Sequence, residues 1–189
     1  DEDTLWVSLW VAGGVLPIEP GPESGEAKEV VTIMTEELEG LPYPSGVAAV
    51  GNRIYVALNN LDESFAPAGN GRLWVYDRNE ETQEFVDLGE DCKNASGVAT
   101  QGERVYITCT GTYSGDGALA VYDPAAADPV KVFPTGGAPT RISTDGKKLY
   151  LSDGASTALL RVDESMNAEP IPICAEQDWE FVSDVLVVP

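Results

Sequence analysis

Short runs of Val, Ile, Leu, Tyr and Trp alternate along the whole chain with clusters of Gly, Pro, Asn, Asp and Ser, and helical periodicity is nearly absent. Short apolar runs bounded by turn residues are the pattern of an all-β chain. Four of the runs resemble one another: LWVSLW from Leu5, IYVALN from Ile54, VYITCT from Val105 and LYLSDG from Leu149. Their aromatic second positions, Trp6, Tyr55, Tyr106 and Tyr150, recur roughly every 45 to 50 residues.

Each run is followed by a second shared piece: GVLPIEP from Gly14, GRLWVYD from Gly71, GALAVYD from Gly117 and TALLRVD from Thr157. More variable strands come next, near Glu29–Met34, Glu84–Leu88, Val130–Phe133 and Pro170–Cys174. A further piece precedes the aromatic run: SGVAAVGNR from Ser45, SGVATQGER from Ser96 and TRISTDGKK from Thr140, each turning through a Gly-containing hairpin. The unit is therefore four strands, called A to D from the inside outward. Such units of about 40–50 residues are the blades of a β-propeller.

The ends complement each other. The run at Leu5 has no strand A before it, and SDVLVVP from Ser183 to Pro189 reads as a strand A with no strand B after it. The expectation is one β-propeller domain over residues 1–189, with four four-stranded blades' worth of repeats. Its C-terminal strand, Val185–Val188, would pair with Leu5–Val11 and close the N-terminal blade. Closure protects the edges that an open ring exposes. It can occur within one chain, between two chains that complete a larger propeller by self-association, or within a longer propeller of which this is a segment.

The stretch APTRISTDGKKLYLSDGASTALLRVD, Ala138 to Asp163, resembles the repeat of YVTN-type propellers, and more weakly that of NHL and gluconolactonase-like ones. The blades starting near Ser45 and Ser96 are looser versions. The resemblance implies an extracytoplasmic propeller: periplasmic, cell-surface or secreted. Some relatives are lactonases, but histidine-dependent forms of that chemistry have no counterpart in a chain without histidine.

Charge narrows the functions further. With 32 acidic and 11 basic residues the net charge is −21. A nucleic-acid partner is excluded by the lack of a basic surface to displace phosphate counterions. The longest apolar stretch, Leu5 to Ile18, is interrupted by Ser8, Gly13, Gly14 and Pro17 and is shorter than the roughly 18 residues of a membrane span. The repeated acids Glu19, Asp77, Asp123 and Asp163 end strand C and read as turn residues.

Candidate chemistry lies in the loops of one face. The B–C loop NNLDESFAPAGN, Asn59 to Asn70, is much longer than its equivalents and carries Asn59, Asn60 and Asp62. Extra length on one loop of a repeat protein maps to a binding face. Ser45, Ser96, Thr140 and Ser183 begin the four A strands and would ring the channel mouth. Asp116 and Asp153 lie in the other B–C loops. Oxygen ligands favour calcium as the possible cofactor, with Asn59, Asp116 and Asp153 as its candidate ligands. The first reading is a non-enzymatic extracytoplasmic scaffold that binds a protein or small-molecule ligand on this face. The alternative is a calcium-dependent lactone or ester hydrolase.

Three cysteines allow one intrachain bond. Cys109 ends a strand B, and Cys92 lies in the loop entering the strand A paired with it, so Cys92 and Cys109 are expected to form a disulfide. Cys174 is the counterpart of Cys92 at the remaining blade, but Leu9 stands at the position matching Cys109, so Cys174 is expected to be a lone, largely buried thiol. A stable disulfide accords with an oxidising compartment.

Overall fold

The apolar runs form strands, and the turn clusters separate them. A computed structural model describes residues 4–21, 24–173 and 185–186, and no helix occurs among them. Four antiparallel sheets follow one another along the chain, each a blade. Blade I holds β1 (Leu5–Leu9), β2 (Gly14–Glu19), β3 (Glu26–Ala27) and β4 (Val31–Thr32). Blade II holds β5 (Pro44–Val50), β6 (Arg53–Leu58), β7 (Arg72–Asp77) and β8 (Thr82–Asp87). Blade III holds β9 (Ala95–Gln101), β10 (Arg104–Cys109), β11 (Ala118–Tyr122) and β12 (Val130–Pro134). Blade IV holds β13 (Pro139–Thr144), β14 (Leu149–Asp153), β15 (Ala158–Val162) and β16 (Ala168–Pro172). The architecture is a β-propeller, and in blades II to IV the strands lie in chain order from the innermost outward.

Strand alternation builds the core. On β6, Ile54, Val56 and Leu58 point towards blade I and pack with Val15, Ile33 and Trp74. Tyr55 and Ala57, one residue out of phase, point towards blade III and pack with Val105, Ile107 and Ala118. On β10, Tyr106 turns towards blade IV and meets Leu149, Leu151 and Leu160. Blades II and III thus bury both faces, as a period of two requires when a sheet has neighbours on either side.

Two turns follow directly from composition. The A–B hairpins Gly51-Asn52 and Gly102-Glu103 place glycine at φ +54° and +61°. A two-residue hairpin whose first central residue has positive φ requires glycine there. Strand-C acids cap the next turn: Asp77 Oδ1 accepts from Asn79 N at 2.9 Å, Asp123 Oδ1 from Ala125 N at 3.1 Å and Asp163 Oδ1 from Ser165 N at 2.8 Å.

Blade I departs from the expected single outer strand. β3 and β4 are two pieces on the same side of β2, and the register slips by one residue between them. Pro17 lies at the break: its carbonyl accepts from Lys28 N at 2.9 Å, but it has no N–H to return to the outer strand. The expected pairing of Val185–Val188 with β1 falls mostly outside the described residues. Val185 and Leu186 are described, neither is in a strand, and Leu186 is 81% exposed. Cys174 and Ser183 also lie outside the described residues.

Cys92 and Cys109 form a disulfide with Cα atoms 5.1 Å apart, and both are fully buried in the core between blades II and III. The bond closes a loop across 17 positions, for which chain-entropy reasoning gives about 3 kcal/mol. The double variant Cys92→Ala/Cys109→Ala should therefore unfold at lower denaturant, with a stability loss of about 2–4 kcal/mol. Because both sulfurs are buried, the native protein should resist reductant until denaturant is added. Equal midpoints for parent and variant in chemical denaturation would contradict this.

Candidate functional site

The A strands of blades II to IV each carry a bulge where two of their residues face one on strand B. The pairs are Ser45-Gly46 opposite Ala57, Ser96-Gly97 opposite Thr108 and Thr140-Arg141 opposite Ser152. A bulge frees a backbone amide from the ladder. Thr108 Oγ1 accepts from Gly97 N at 2.7 Å and Ser152 Oγ from Arg141 N at 3.0 Å. The same hydroxyls meet Ser96 Oγ at 3.1 Å and Thr140 Oγ1 at 2.9 Å. The bulged ends converge on one face and, with the B–C loops, enclose a cleft of about 520 Å³. Its lining comes from all four blades, from Trp10 in blade I to Arg141 and Gly154 in blade IV.

Asn59 is the polar hub beneath this cleft. It is 5% exposed. Its Nδ2 donates to Asn94 Oδ1 at 2.8 Å and to Ala95 O at 2.7 Å, and its Oδ1 accepts from Trp10 Nε1 at 3.0 Å. An indole N–H can only donate, so these partners fix the orientation of the amide. One side chain thus joins blades I, II and III. Further along, Thr110 Oγ1 shares a hydrogen bond with Ser96 Oγ at 2.8 Å and donates to Pro139 O of blade IV at 2.9 Å.

An aromatic platform flanks the hub. Trp10 stacks on Tyr43 with centroids 4.5 Å apart and on Phe65 at 5.7 Å. Phe65 is 57% exposed, Trp10 42%, and Tyr113 on the opposite loop 59%. Tyr43, Phe65 and Tyr113 have φ of +41°, +63° and +62°. Bulky residues avoid that left-handed region, at a cost on the order of 1–3 kcal/mol each, and such positions concentrate at ligand sites.

Two aspartates clamp these loops. Asp62 Oδ1 accepts from Ser64 Oγ at 2.7 Å, Ser64 N at 2.8 Å and Ala66 N at 3.0 Å. The Ser64 hydroxyl, followed by the backbone amides, holds the Asp62 carboxyl below the ordinary aspartate range. Asp116 accepts from Thr112 N at 2.8 Å and from Thr112 Oγ1 at 2.9 Å, and the Thr112 amide depresses its carboxyl likewise. The two clamps hold Phe65 and Tyr113 at the cleft.

The residues singled out in the sequence divide into two groups. Ser45, Asn59, Ser96 and Thr140 line the cleft. Asn60, Asp62, Asp116 and Asp153 lie outside its lining. Asn60 is fully buried: it accepts from Gly40 N and donates to Glu39 Oε2 and Asn70 O, each at 2.8 Å. That Asn60 bond is the largest influence lowering the Glu39 carboxyl. Asp153 accepts from Ala138 N at 2.8 Å, Ala155 N at 3.0 Å and Ser156 Oγ at 2.7 Å. The calcium candidates are thus engaged elsewhere, Asp116 within its own loop and Asp153 by its own loop and Ala138, while Asn59 alone of the three reaches the cleft. No group of three or more His, Cys, Asp or Glu side chains among the described residues is placed to hold a metal. Sequence reasoning missed Trp10, Tyr43, Phe65, Tyr113 and Arg141. The available signal was large aromatics inside polar Gly/Asn/Ser loops, where no strand buries them.

No protein-family model matches the sequence, and no curated protein matches it. Solved structures do. A chain of hydrazine synthase from Kuenenia stuttgartiensis is 19% identical with TM-score 0.65, matching 91% of this chain and 47% of its own. Virginiamycin B lyase from Staphylococcus aureus is 12% identical with TM-score 0.66, over 90% of this chain and 52% of its own. A 6-phosphogluconolactonase-like protein from Bacteroides uniformis is 13% identical with TM-score 0.62, over 89% and 50%. The likeness is one of fold, and the chain spans about half the length of these structures.

Replacing Asn59 by Asp turns a donor that faces two oxygens into a charged acceptor. The variant should lose about 2–3 kcal/mol at neutral pH and recover part of it when the new carboxyl is protonated. Urea melts at two pH values measure this, and a variant as stable as the parent at neutral pH would contradict the hub.

Proposed function

We propose that the protein is a non-enzymatic, extracytoplasmic binding scaffold whose loop-face cleft takes a ligand. The observation that carries this reading is the make-up of the lining. Exposed aromatics at strained backbone positions stand beside neutral hydroxyls and amides, with one guanidinium and no carboxylate, lysine or cysteine. A general base or nucleophile is activated by a neighbouring group such as a carboxylate, lysine or thiolate, and the hydroxyls of this lining have none of these beside them in it. A cleft of this volume with an aromatic wall and convergent polar groups has the form of a small-molecule site. The calcium-dependent hydrolase is less well supported, because Asp116 and Asp153 are already engaged by loop donors and lie outside the cleft lining.

The buried disulfide supports a periplasmic, cell-surface or secreted location. The repeat from Ala138 to Asp163 supports kinship with the YVTN-type propellers. The half-length match to larger structures supports a single propeller unit that belongs to a longer ring or is completed by another chain.

Phe65→Gly separates fold from function. Glycine adopts φ +63° freely, so relief of strain offsets the lost stack and the variant should melt within a few degrees of the parent. In a thermal-shift panel of soluble oligosaccharides and aromatic carboxylates, a compound that stabilises the parent should fail to stabilise Phe65→Gly. A panel without any binder, or a hit whose shift is the same in both proteins, would contradict the reading.

A further inference from the structure

The cleft is chemically polar along its length, and this deepens the reading of it as a binding site, on which the inference rests. Reading across the blades, it starts at the Trp10–Phe65 platform, passes the neutral groups of Asn59, Ser96 and Thr110, and reaches Arg141 in blade IV. Arg141 is exposed. Its Nη1 donates only to the neighbouring Thr140 O, at 3.1 Å. Arg72, Arg104, Arg161 and Lys28 all hold carboxylates, whereas no carboxylate lies within ion-pair distance of Arg141 among the described residues. What sets Arg141 apart is its place: it is the one cation in a cleft lining that holds no carboxylate.

Its position explains how it is free. The equivalent residues of blades II and III are Gly46 and Gly97. A Cβ on Gly46 would stand 2.5 Å from Ser96 O, and one on Gly97 would stand 3.1 Å from the Arg141 Cα. The next blade's inner strand therefore forbids a side chain at Gly46, and at Gly97 the same strand crowds a side chain together with Thr108 Oγ1 at 2.8 Å. At the third position of the series the chain places its longest cationic side chain instead, facing the cleft.

We propose that the cleft binds a ring compound carrying a single carboxylate. The ring face stacks on Trp10 and Phe65, and the carboxylate takes the bidentate face of the Arg141 guanidinium. The hydroxyls and amides between them suit the ring's polar substituents. A monoanion is favoured over a multiply charged group because one cation stands against a net charge of −21. An acidic sugar and an aromatic acid both offer this chemistry.

Isothermal titration with two matched pairs tests it: digalacturonate against galactobiose, and indole-3-acetate against indole-3-acetamide. One acid should bind at least about tenfold tighter than its neutral partner, and the pair that shows this identifies the source of the ring. Arg141→Gln should bring the acid to within about twofold of the neutral compound while leaving the latter's affinity and the melting temperature unchanged. Equal affinities within both pairs, no binding by either acid, or an acid preference that survives Arg141→Gln would overturn the inference. The cleft itself is judged separately. Neutral binding that Phe65→Gly abolishes keeps the cleft as the site even if the carboxylate assignment fails. Binding of either acid that is indifferent to both variants removes the site as well.

Discussion

The inner strands approach one another so closely that side chains are excluded at the contact. Gly46 meets the backbone of Ser96 and Val98 at distances no Cβ tolerates, and Gly97 packs on the backbone of Thr140 and Arg141 more tightly than a Cβ ordinarily does. This contact sets the angle between successive blades. Once β5, β9 and β13 are held backbone to backbone, the B and C strands of adjacent blades are brought into range, and alternate side chains fill the space between sheets. The three apolar clusters, one at each junction, follow from that spacing.

The same contact also creates the site. In blades II and III the bulge brings glycine against the next strand, and at all three described bulges a hydroxyl residue, Ser45, Ser96 or Thr140, stands at the cleft. Thr108, Ser152 and Thr110 tie the bulges of blades III and IV into the fold, which makes the cleft floor a rigid layer of hydroxyls. Rigidity matters for recognition because polar groups that are already oriented need not be ordered when a ligand arrives. The loops above add the aromatic surface. Their strained residues stay in place because Asp62 and Asp116 clamp the turns, and depressed carboxyl pKa values are the electrostatic sign of that clamp.

Much of the fold was legible in the sequence, because a propeller writes its repeat in the alternation of each strand and in the turns between them. The aromatic positions Tyr55, Tyr106 and Tyr150, the hairpin glycines and the Asp turn caps all report local rules that tertiary context does not override. The disulfide was legible because the A–B hairpin fixes where Cys109 faces, and its observed partner in the ladder is Ala95, three residues beyond Cys92. The cleft was only half legible. Ser45, Ser96 and Thr140 follow the repeat and could be placed by register, and Asn59 ends a strand at its mouth. Asn60, Asp62, Asp116 and Asp153 share the polar character of ligand-binding loops, yet Asp62 and Asp116 spend their hydrogen bonds within their own loops and Asn60 and Asp153 tie theirs to a neighbouring one, and composition does not distinguish those uses. Trp10, Phe65 and Tyr113 meet only through loop conformations with positive φ, which no periodicity announces. Blade I misled for a single-atom reason: Pro17 lacks the N–H that a continuous outer strand would use.

The central claim is that ligands meet this protein at the Trp10 side of the cleft. Trp10 and Trp74 carry indole N–H groups in opposite settings: Trp10 is 42% exposed at the cleft and bonded to Asn59, whereas Trp74 is fully buried and bonded to Gln83. The most direct measurement is the indole ¹H–¹⁵N resonance of each during titration with the tightest ligand of the oligosaccharide and aromatic-acid panel, assigned with Trp10→Phe and Trp74→Phe. The account predicts that the Trp10 signal shifts in proportion to saturation while that of Trp74 stays in place. A saturating ligand that leaves the Trp10 resonance unmoved would contradict it.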